Sequence, residues 1–207
     1  MATYKEIFGK KIQSLASDIP AAQGEGQIWY NETSDTFKTS VLTEAWASGG
    51  AMTLGRYNAF GYGTQTAAVA SSNDGTYVTT TEEYNGSSWA GAGALNTGRG
   101  GGSAGGIQTD GIVFAGYTGS NSTATETYDG TSYTTSPATM ATGRRNLASS
   151  TNSSAPTATA FGGFVTASSA VTEEFNGTAW VEVADLNTAR YSAGEAGGGS
   201  QTATLYF

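Results

Sequence analysis

The chain contains an internal repeat whose length is that of a propeller blade or a solenoid coil. The nine residues TEEYNGSSW at 81–89 recur as TETYDGTSY at 125–133 and as TEEFNGTAW at 172–180. A second block, LNTGR at 95–99, recurs as MATGR at 140–144 and LNTAR at 186–190, and MTLGR at 52–56 precedes them. The arginines of this block are 43, 45 and 46 residues apart. The period of the repeat therefore favours a propeller or a solenoid.

The composition favours short strands and excludes much enzyme chemistry. Thirty glycines and only 13% charged residues in 207 residues are typical of many tight turns. The chain has no cysteine and no histidine, so it lacks thiol and imidazole catalysis and the usual zinc, copper and iron ligands. A net charge of −8 argues against a nucleic-acid partner, and no stretch has the length and apolar character for membrane insertion.

The chain divides into an amino-terminal arm, residues 1–40, and a repeat region, residues 41–207. All four lysines lie in the arm, and every arginine lies in the repeats. Residues 3–15 alternate weakly and predict one strand, and residues 16–26 predict a loop. Residues 27–39 predict a β-hairpin around the polar corner at 32–35.

Each repeat predicts four short strands, which in the second unit are residues 100–106, 110–117, 123–129 and 132–138. Asn-Gly or Asp-Gly pairs at 85–86, 129–130 and 176–177 supply the positive φ angles of two-residue hairpins. Four strands per repeat favour a propeller blade over a β-solenoid, whose coils are usually shorter.

The count of strands predicts how a ring would close. The second strand recurs at 65–70, 110–114, 157–161 and 201–207, so the last unit has only two strands, while residues 37–42 and 44–52 are surplus at the other end. If the two surplus strands complete the last unit, the chain forms a propeller of about four blades with its last blade closed by N-terminal strands. The alternative is closure between chains, which gives an oligomer.

The repeats resemble the kelch repeat, in which a glycine pair ends the second strand, a Tyr lies on the third and a Trp on the fourth. The glycine pair is present at 162–163, degraded to Ala-Gly at 115–116 and lost at 71–72. The aromatic pairs at 84 and 89, 128 and 133, and 175 and 180 keep their spacing. The resemblance covers residues 41–207 and implies a small all-β propeller.

The whole chain also resembles predicted virion structural proteins of marine bacteriophages. The matching stretches are the start MATYK at 1–5, GQIWYN at 26–31 and the repeat blocks. The resemblance implies a fibre, tail appendage or capsid decoration, made in the host cytoplasm and kept in the virion. Its partners would be other virion proteins and a host-surface glycan, and it would be a homo-oligomer in the particle. The expected docking residues are Tyr4, Ile7, Phe8, Ile28, Trp29 and Tyr30, although Trp29 could equally pack the hairpin.

The repeat arginines are candidate binding residues. Arg56, Arg99, Arg144 and Arg190 occur once per unit and could form a guanidinium ring that holds an anionic sugar, a phosphate or a carboxylate. The favoured alternative is that they pair with the repeated glutamates and lock neighbouring blades; these glutamates are Glu82, Glu126 and Glu173. Arg145 stands outside the pattern and is free for another role.

The remaining motifs predict structural roles. Trp46, Trp89, Tyr133 and Trp180 could stack on sugars, but one bulky residue per repeat is what packing between blades requires. The Asp-Gly pairs do not match a calcium loop, and the glycines at 98–106 do not form a phosphate loop. Adjacent glutamates at 82–83 and 173–174 point to opposite strand faces, so we expect no catalytic residue, metal or cofactor. The alternatives to a virion protein are a kelch-like protein-binding module and, less favoured, a glycan-degrading enzyme.

Overall fold

The computed structural model describes residues 3–7, 10–19, 28–39, 49–72, 77–150 and 157–192, with the backbone alone at 3–7 and 10–12. The chain forms two compact units, Met1–Ser48 and Gly49–Phe207. The boundary predicted between residues 40 and 41 lies outside the described residues. Within the described ranges every regular element is a β-strand.

The amino-terminal unit contains one four-stranded sheet of β1 (Thr3–Ile7), β2 (Lys10–Leu15), β3 (Ile28–Asn31) and β4 (Thr36–Thr39), in that order. β3 and β4 form the predicted hairpin, and β2 pairs with β3 in parallel. The single strand expected over residues 3–15 is wrong, because β1 and β2 pair antiparallel with each other. Gly9 is the turn signal in the sequence that the weak alternation concealed.

The second unit contains three antiparallel sheets of four strands, each with its strands side by side in sequence order. The first repeat sheet consists of β5 (Phe60–Thr64), β6 (Ala67–Ser71), β7 (Thr81–Tyr84) and β8 (Trp89–Ala92). The second consists of β9 (Ser103–Ile107), β10 (Asp110–Phe114), β11 (Thr125–Tyr128) and β12 (Tyr133–Thr135). The third consists of β13 (Ala148–Ser149), β14 (Ala158–Phe161), β15 (Thr172–Phe175) and β16 (Trp180–Glu182). All four strands predicted for the second repeat are therefore confirmed. The closing strands predicted at 37–42 and 44–52 are wrong where they are described: residues 37–39 belong to β4, because they pair with the adjacent β3, and residues 49–52 are not in a strand. Residues 40–48 and the closing strand at 201–207 lie outside the described residues.

The hairpin turns between third and fourth strands lie where the sequence predicted them, but their geometry differs. Only the glycines adopt positive φ, +90° at Gly86, +89° at Gly130 and +94° at Gly177. The preceding Asn85 instead accepts hydrogen bonds from the backbone N–H groups of Ser87 and Ser88 with its side-chain oxygen. Four residues separate the paired Tyr84 and Trp89, so the two-residue loop was wrong. The side-chain cap satisfies N–H groups that the tighter turn would have paired in the backbone.

Two hydrophobic cores lie between the three repeat sheets, and β10 contributes to both. Val113 belongs to the core shared with the first sheet, while Ile112 and Phe114 belong to the core shared with the third. Alternate residues of a strand face opposite sides, which is why three consecutive apolar residues serve two cores. All three side chains are fully buried. The second sheet is thus packed on both faces.

Buried tyrosine hydroxyls should make this packing sensitive to alkali. Tyr133 Oη lies 2.9 Å from Tyr62 Oη and 2.7 Å from Ser71 Oγ, and burial raises the pKa of both tyrosines above its ordinary value of 10.0. A folded pKa above the unfolded value means that the stability is fully present below about pH 10 and is lost as the pH rises beyond it. We expect the midpoint of urea unfolding to stay level from about pH 7 to 9 and then to fall.

The matching variants assign this effect to the buried hydroxyls. Tyr62→Phe should give a shallower alkaline fall, because one of the raised pKa values is removed. Tyr57→Phe is the control, since Tyr57 is 58% exposed. If Tyr62→Phe falls as steeply as the unmodified chain, the alkaline loss has another origin.

Candidate functional site

Each of the first three repeat arginines forms a buried ion pair with the glutamate of a third strand. Arg56 Nη2 lies 3.3 Å from Glu82 Oε2, Arg99 Nη1 lies 2.9 Å from Glu126 Oε1, and Arg144 Nη2 lies 3.2 Å from Glu173 Oε1. These six side chains are at most 3% exposed. The contact between Arg56 and Glu82 is also a hydrogen bond. In the other two pairs the N–H groups do not point at the carboxylate oxygen, so the attraction is electrostatic without a hydrogen bond.

The same glutamates hold the turn that precedes each arginine. The backbone N–H three residues before the arginine donates to the carboxylate at 2.8 Å from Thr53, 2.7 Å from Asn96 and 2.7 Å from Ala141. Burial would raise the pKa of Glu82, but hydrogen bonds from Thr53 and Arg56 hold it below its ordinary value. The repeated glutamate and the repeated arginine block are therefore one structural unit, which explains why they recur together.

The pairing decides the role of the predicted arginine ring. Arg99 also joins two sheets, because its carbonyl oxygen accepts a hydrogen bond from the Ser72 hydroxyl at the end of the first repeat sheet. Burial lowers the pKa of Arg99 and of Arg144, and their partner glutamates oppose this shift. The guanidinium groups of Arg56, Arg99 and Arg144 are thus enclosed in the protein and do not present a ring to solvent. Arg190 has a half-buried side chain, and its backbone pairs with Ser169.

The residue two positions after each arginine marks a point where four repeats meet. Asn58, Gly101, Asn146 and Ser192 have φ angles of +49°, +62°, +52° and +50°, so all four are left-handed. Consecutive members are joined by backbone hydrogen bonds: Gly101 N to Asn58 O at 3.2 Å, Asn146 N to Gly101 O at 2.5 Å and Ser192 N to Asn146 O at 2.9 Å. Three of the four are not glycine, and non-glycine residues with this backbone conformation are uncommon and cluster at functional sites.

These four residues line one open cavity of about 300 Å³, together with the next residues of three repeats. We call it the asparagine cavity, after Asn58 and Asn146. Its lining combines the polar residues Asn58, Asn146 and Ser192 with the apolar Leu147. Its size is at the lower end of the range for small-molecule sites.

Arg145 stands beside this cavity and has none of the contacts of Arg144. Its guanidinium carbon lies 4.6 Å from the centre of the Tyr117 ring and 4.8 Å from the centre of the Phe164 ring. Nη1 donates to Asn121 Oδ1 at 3.0 Å. The following residues, Asn146 and Leu147, line the cavity.

Further aromatic rings extend this arrangement on both sides. Tyr77 contacts Tyr117 edge to face at 5.9 Å, and Tyr191 contacts Phe164 in the same way at 5.2 Å. These four rings, which we call the aromatic strip, are half-buried except Tyr191, which is 47% exposed. The strip was not predicted from the sequence. An available signal was the aromatic residue directly after the glycine pair, which is Tyr117 after 115–116 and Phe164 after 162–163.

The once-per-repeat aromatics pack between and within the sheets. The Trp180 ring lies 4.8 Å from Phe114 of the second sheet, and its Nε1 donates to Thr125 Oγ1 at 2.9 Å. Tyr133 is buried in the core between the first and second sheets, and Trp89 packs on Tyr84 of its own sheet. Trp46 lies outside the described residues.

The predicted docking residues divide into exposed, buried and undescribed groups. Ile28 is 62% exposed, and Tyr30 packs edge to face on Phe37, which is itself 50% exposed. Trp29 is only 4% exposed, and its Nε1 donates to Asp18 at 3.3 Å, so it packs its own unit. Side chains of Tyr4 and Ile7 are not described, and Phe8 lies outside the described residues.

The described residues form neither a cluster of metal ligands nor a membrane-spanning helix. No group of three or more acidic side chains there is arranged to hold a metal ion. Asp129 accepts hydrogen bonds from the N–H groups of Ser132 and Thr131, which lower its pKa and identify it as a turn cap. No helix among the described residues has the length and apolar character to cross a membrane.

These features define an all-β protein of packed four-stranded repeat sheets. No protein-family model and no curated protein matches the chain. Solved structures do match, among them the structure of YjhT, with a TM-score of 0.58 and 12% identity over 70% of this chain. The match spans 56% of YjhT. At this identity the likeness shows a shared fold alone.

Proposed function

We propose that this chain is a non-enzymatic structural protein of a bacteriophage virion, in which an arm docks to the particle and a kelch-like propeller of four blades faces the host. The observation that carries the propeller is the meeting of Asn58, Gly101, Asn146 and Ser192 around one cavity. Equivalent residues with equal φ angles and successive hydrogen bonds are what four repeats around one axis would produce. The meander order of each repeat sheet supports the same arrangement.

The face that carries the asparagine cavity is the proposed attachment face. Propellers expose one end of the ring where loops from all blades converge, and here that place combines a polar cavity, the aromatic strip and Arg145. The repeated acids are already used, because Glu82, Glu126 and Glu173 each hold an arginine and a backbone N–H. Their structural use supports binding rather than hydrolysis at this protein's repeats.

The particle-docking role of the arm is supported by the virion-protein resemblance and by an apolar face of its sheet. Tyr30 and Phe37 are cross-strand partners, and Ile28 lies two residues from Tyr30 on the same face. We propose that this face packs on another virion protein, which would cover the exposed parts of Ile28 and Phe37. Trp29 is buried on the other face and donates a hydrogen bond to Asp18, which holds the hairpin in place.

Substitution of the exposed apolar residues should prevent incorporation into particles. Ile28→Asp and Phe37→Asp place a charge where an apolar contact forms, and we expect at least about a tenfold lower copy number per particle, measured by quantitative mass spectrometry. Ser17→Asp adds the same charge at an exposed position and should leave the copy number unchanged. Normal incorporation of both apolar-face variants would contradict docking through this face.

Electron microscopy with an antibody to residues 49–192 tests the function itself. Label on tail or fibre tips supports host attachment, and label over the head supports decoration of the capsid. Absence of label from every particle would contradict the virion role and favour the kelch-like protein-binding module. Binding of the purified chain to host cells, but not to cells stripped of surface glycan, would support the attachment role.

A further inference from the structure

Arg145 is a preorganised cation that no carboxylate of the described residues neutralises. Among the described residues no carboxylate forms an ion pair with it, in contrast to Arg56, Arg99 and Arg144. It is instead held between the Tyr117 and Phe164 rings and by Asn121. Asn121 is fixed in turn, because its Nδ2 donates to Val165 O at 2.9 Å. Ring faces and a neutral amide orient the guanidinium without neutralising it.

A half-buried guanidinium of this kind suits an anionic ligand. The planar group presents several N–H donors in a fixed fork, which matches a carboxylate or a sulfate. Stacking on two rings reduces the side-chain entropy that ligand binding would otherwise remove. Because the whole chain carries a net charge of −8, an anion would be attracted by this local group and not by the protein as a whole.

The surroundings indicate the rest of the ligand. The asparagine cavity next to Arg145 is lined by Asn58, Asn146 and Ser192, residue types whose side chains pair with hydroxyl groups. Tyr191 lies beside Phe164 with nearly half of its surface exposed, so a flat apolar ring face can pack there. A ligand that combines hydroxyls, weakly apolar ring faces and a negative group is an acidic sugar.

We propose that the asparagine cavity and Arg145 form a binding site for an anionic saccharide. The carboxylate or sulfate contacts the guanidinium of Arg145, sugar hydroxyls contact Asn58, Asn146 and Ser192, and a sugar ring packs on Tyr191. This inference rests on the proposed attachment function and names the class of surface glycan that the face would recognise.

Calorimetric titration of the full chain with matched oligosaccharides tests the proposal. The probes are an oligogalacturonate hexamer and its methyl ester, and a carrageenan hexamer and its desulfated product. We expect at least one anionic probe to bind at least about tenfold more tightly than its neutral counterpart, and the binding to weaken as sodium chloride is raised. Preference for the first pair identifies a carboxylate site, and preference for the second identifies a sulfate site.

Variants then assign the effect to residues. Arg145→Gln should weaken the preferred probe at least about tenfold, Arg145→Lys should be intermediate, and Tyr191→Ala should weaken charged and neutral probes alike. Val181→Ala, an exposed apolar residue on β16, is the control and should bind normally. Melting curves test whether each variant is folded. If Arg145→Gln does not fold, the comparison of charged and neutral probes on the unmodified chain still tests the proposal.

Several results would overturn the proposal. These are equal affinity for charged and neutral probes, full affinity in folded Arg145→Gln, failure of every saccharide to bind, or tighter binding of hexaglutamate, which would indicate an acidic-peptide site. The proposed function fails separately. If particles carry the protein and attach through it, but it does not prefer acidic saccharides, only the anionic-saccharide site is contradicted. If the protein prefers acidic saccharides but is absent from particles, only the virion role is contradicted.

Discussion

Replacement of Glu173 by glutamine should lower the melting temperature by roughly 10 °C. The change removes the ion-pair partner of the Arg144 guanidinium, which is fully buried. Removing one partner of a buried pair costs about 3–5 kcal/mol, and each kcal/mol corresponds to about 2–4 °C in a domain of this size. The amide keeps the size of the side chain and an acceptor for Ala141 N, so the loss reports the charge. Thermal unfolding followed by circular dichroism measures the melting temperature.

The adjacent glutamate provides a matched control. Glu174 is half-buried on the opposite face of β15, and Glu174→Gln should change stability by less than about 0.5 kcal/mol. Removing both charges, with Arg144→Met and Glu173→Leu, should recover much of the loss because no unpaired charge remains. Equal effects of Glu173→Gln and Glu174→Gln would show that the Arg144 pair does not hold the fold.

Addition of one methyl group at Gly98 should destabilise the chain by about 3 kcal/mol, at the upper end for overpacking. Gly98 precedes the arginine of the second block, and a Cβ there would overlap the carbonyl oxygen of Tyr77 and lie 2.6 Å from its carbonyl carbon. The obstacle is backbone, so it cannot be relieved by a rotamer change. The urea midpoint of Gly98→Ala measures the effect.

The equivalent positions of the other blocks give a graded series. A Cβ at Gly143 would lie 2.9 Å from Asn121 O, and one at Gly55 would have no atom within 4 Å. We expect a loss of about 1 kcal/mol for Gly143→Ala and a change within about 0.5 kcal/mol for Gly55→Ala. The fourth block already has alanine, Ala189. If all three variants lose the same stability, the close approach of the backbone does not explain the glycines.

Much of the repeat architecture was predictable because it depends on local and periodic signals. The hairpins after Tyr84, Tyr128 and Phe175 follow from turn residues between strand residues, which act over a few positions. The pairing of Arg144 with Glu173 was also within reach, because opposite charges that recur in step have a partner available in every unit. The two-residue turn at Asn85 was wrong, since its side-chain oxygen accepts hydrogen bonds from the N–H groups of Ser87 and Ser88.

The candidate site was only partly predictable, since its members come from different parts of the repeat. Arg145 was singled out because it breaks the repeat, but Tyr117, Phe164 and Tyr191 were not. Tyr117 and Phe164 follow second strands, whereas Arg145 follows a block arginine. Only the packing of neighbouring sheets brings them together, and no local signal encodes that contact.

The sequence by itself determined that this is an all-β repeat protein, that its sheets have four strands and that its repeated glutamates and arginines belong together. These properties depend on side-chain alternation, turn chemistry and charge, which act at short range or repeat in register. Tertiary structure alone decided that Arg99 and Arg144 are buried while Arg145 reaches the surface beside a cavity. Solvation of a charge depends on everything packed around it, and the residues that surround Arg145, at positions 117, 121 and 164, lie on loops of two different repeats.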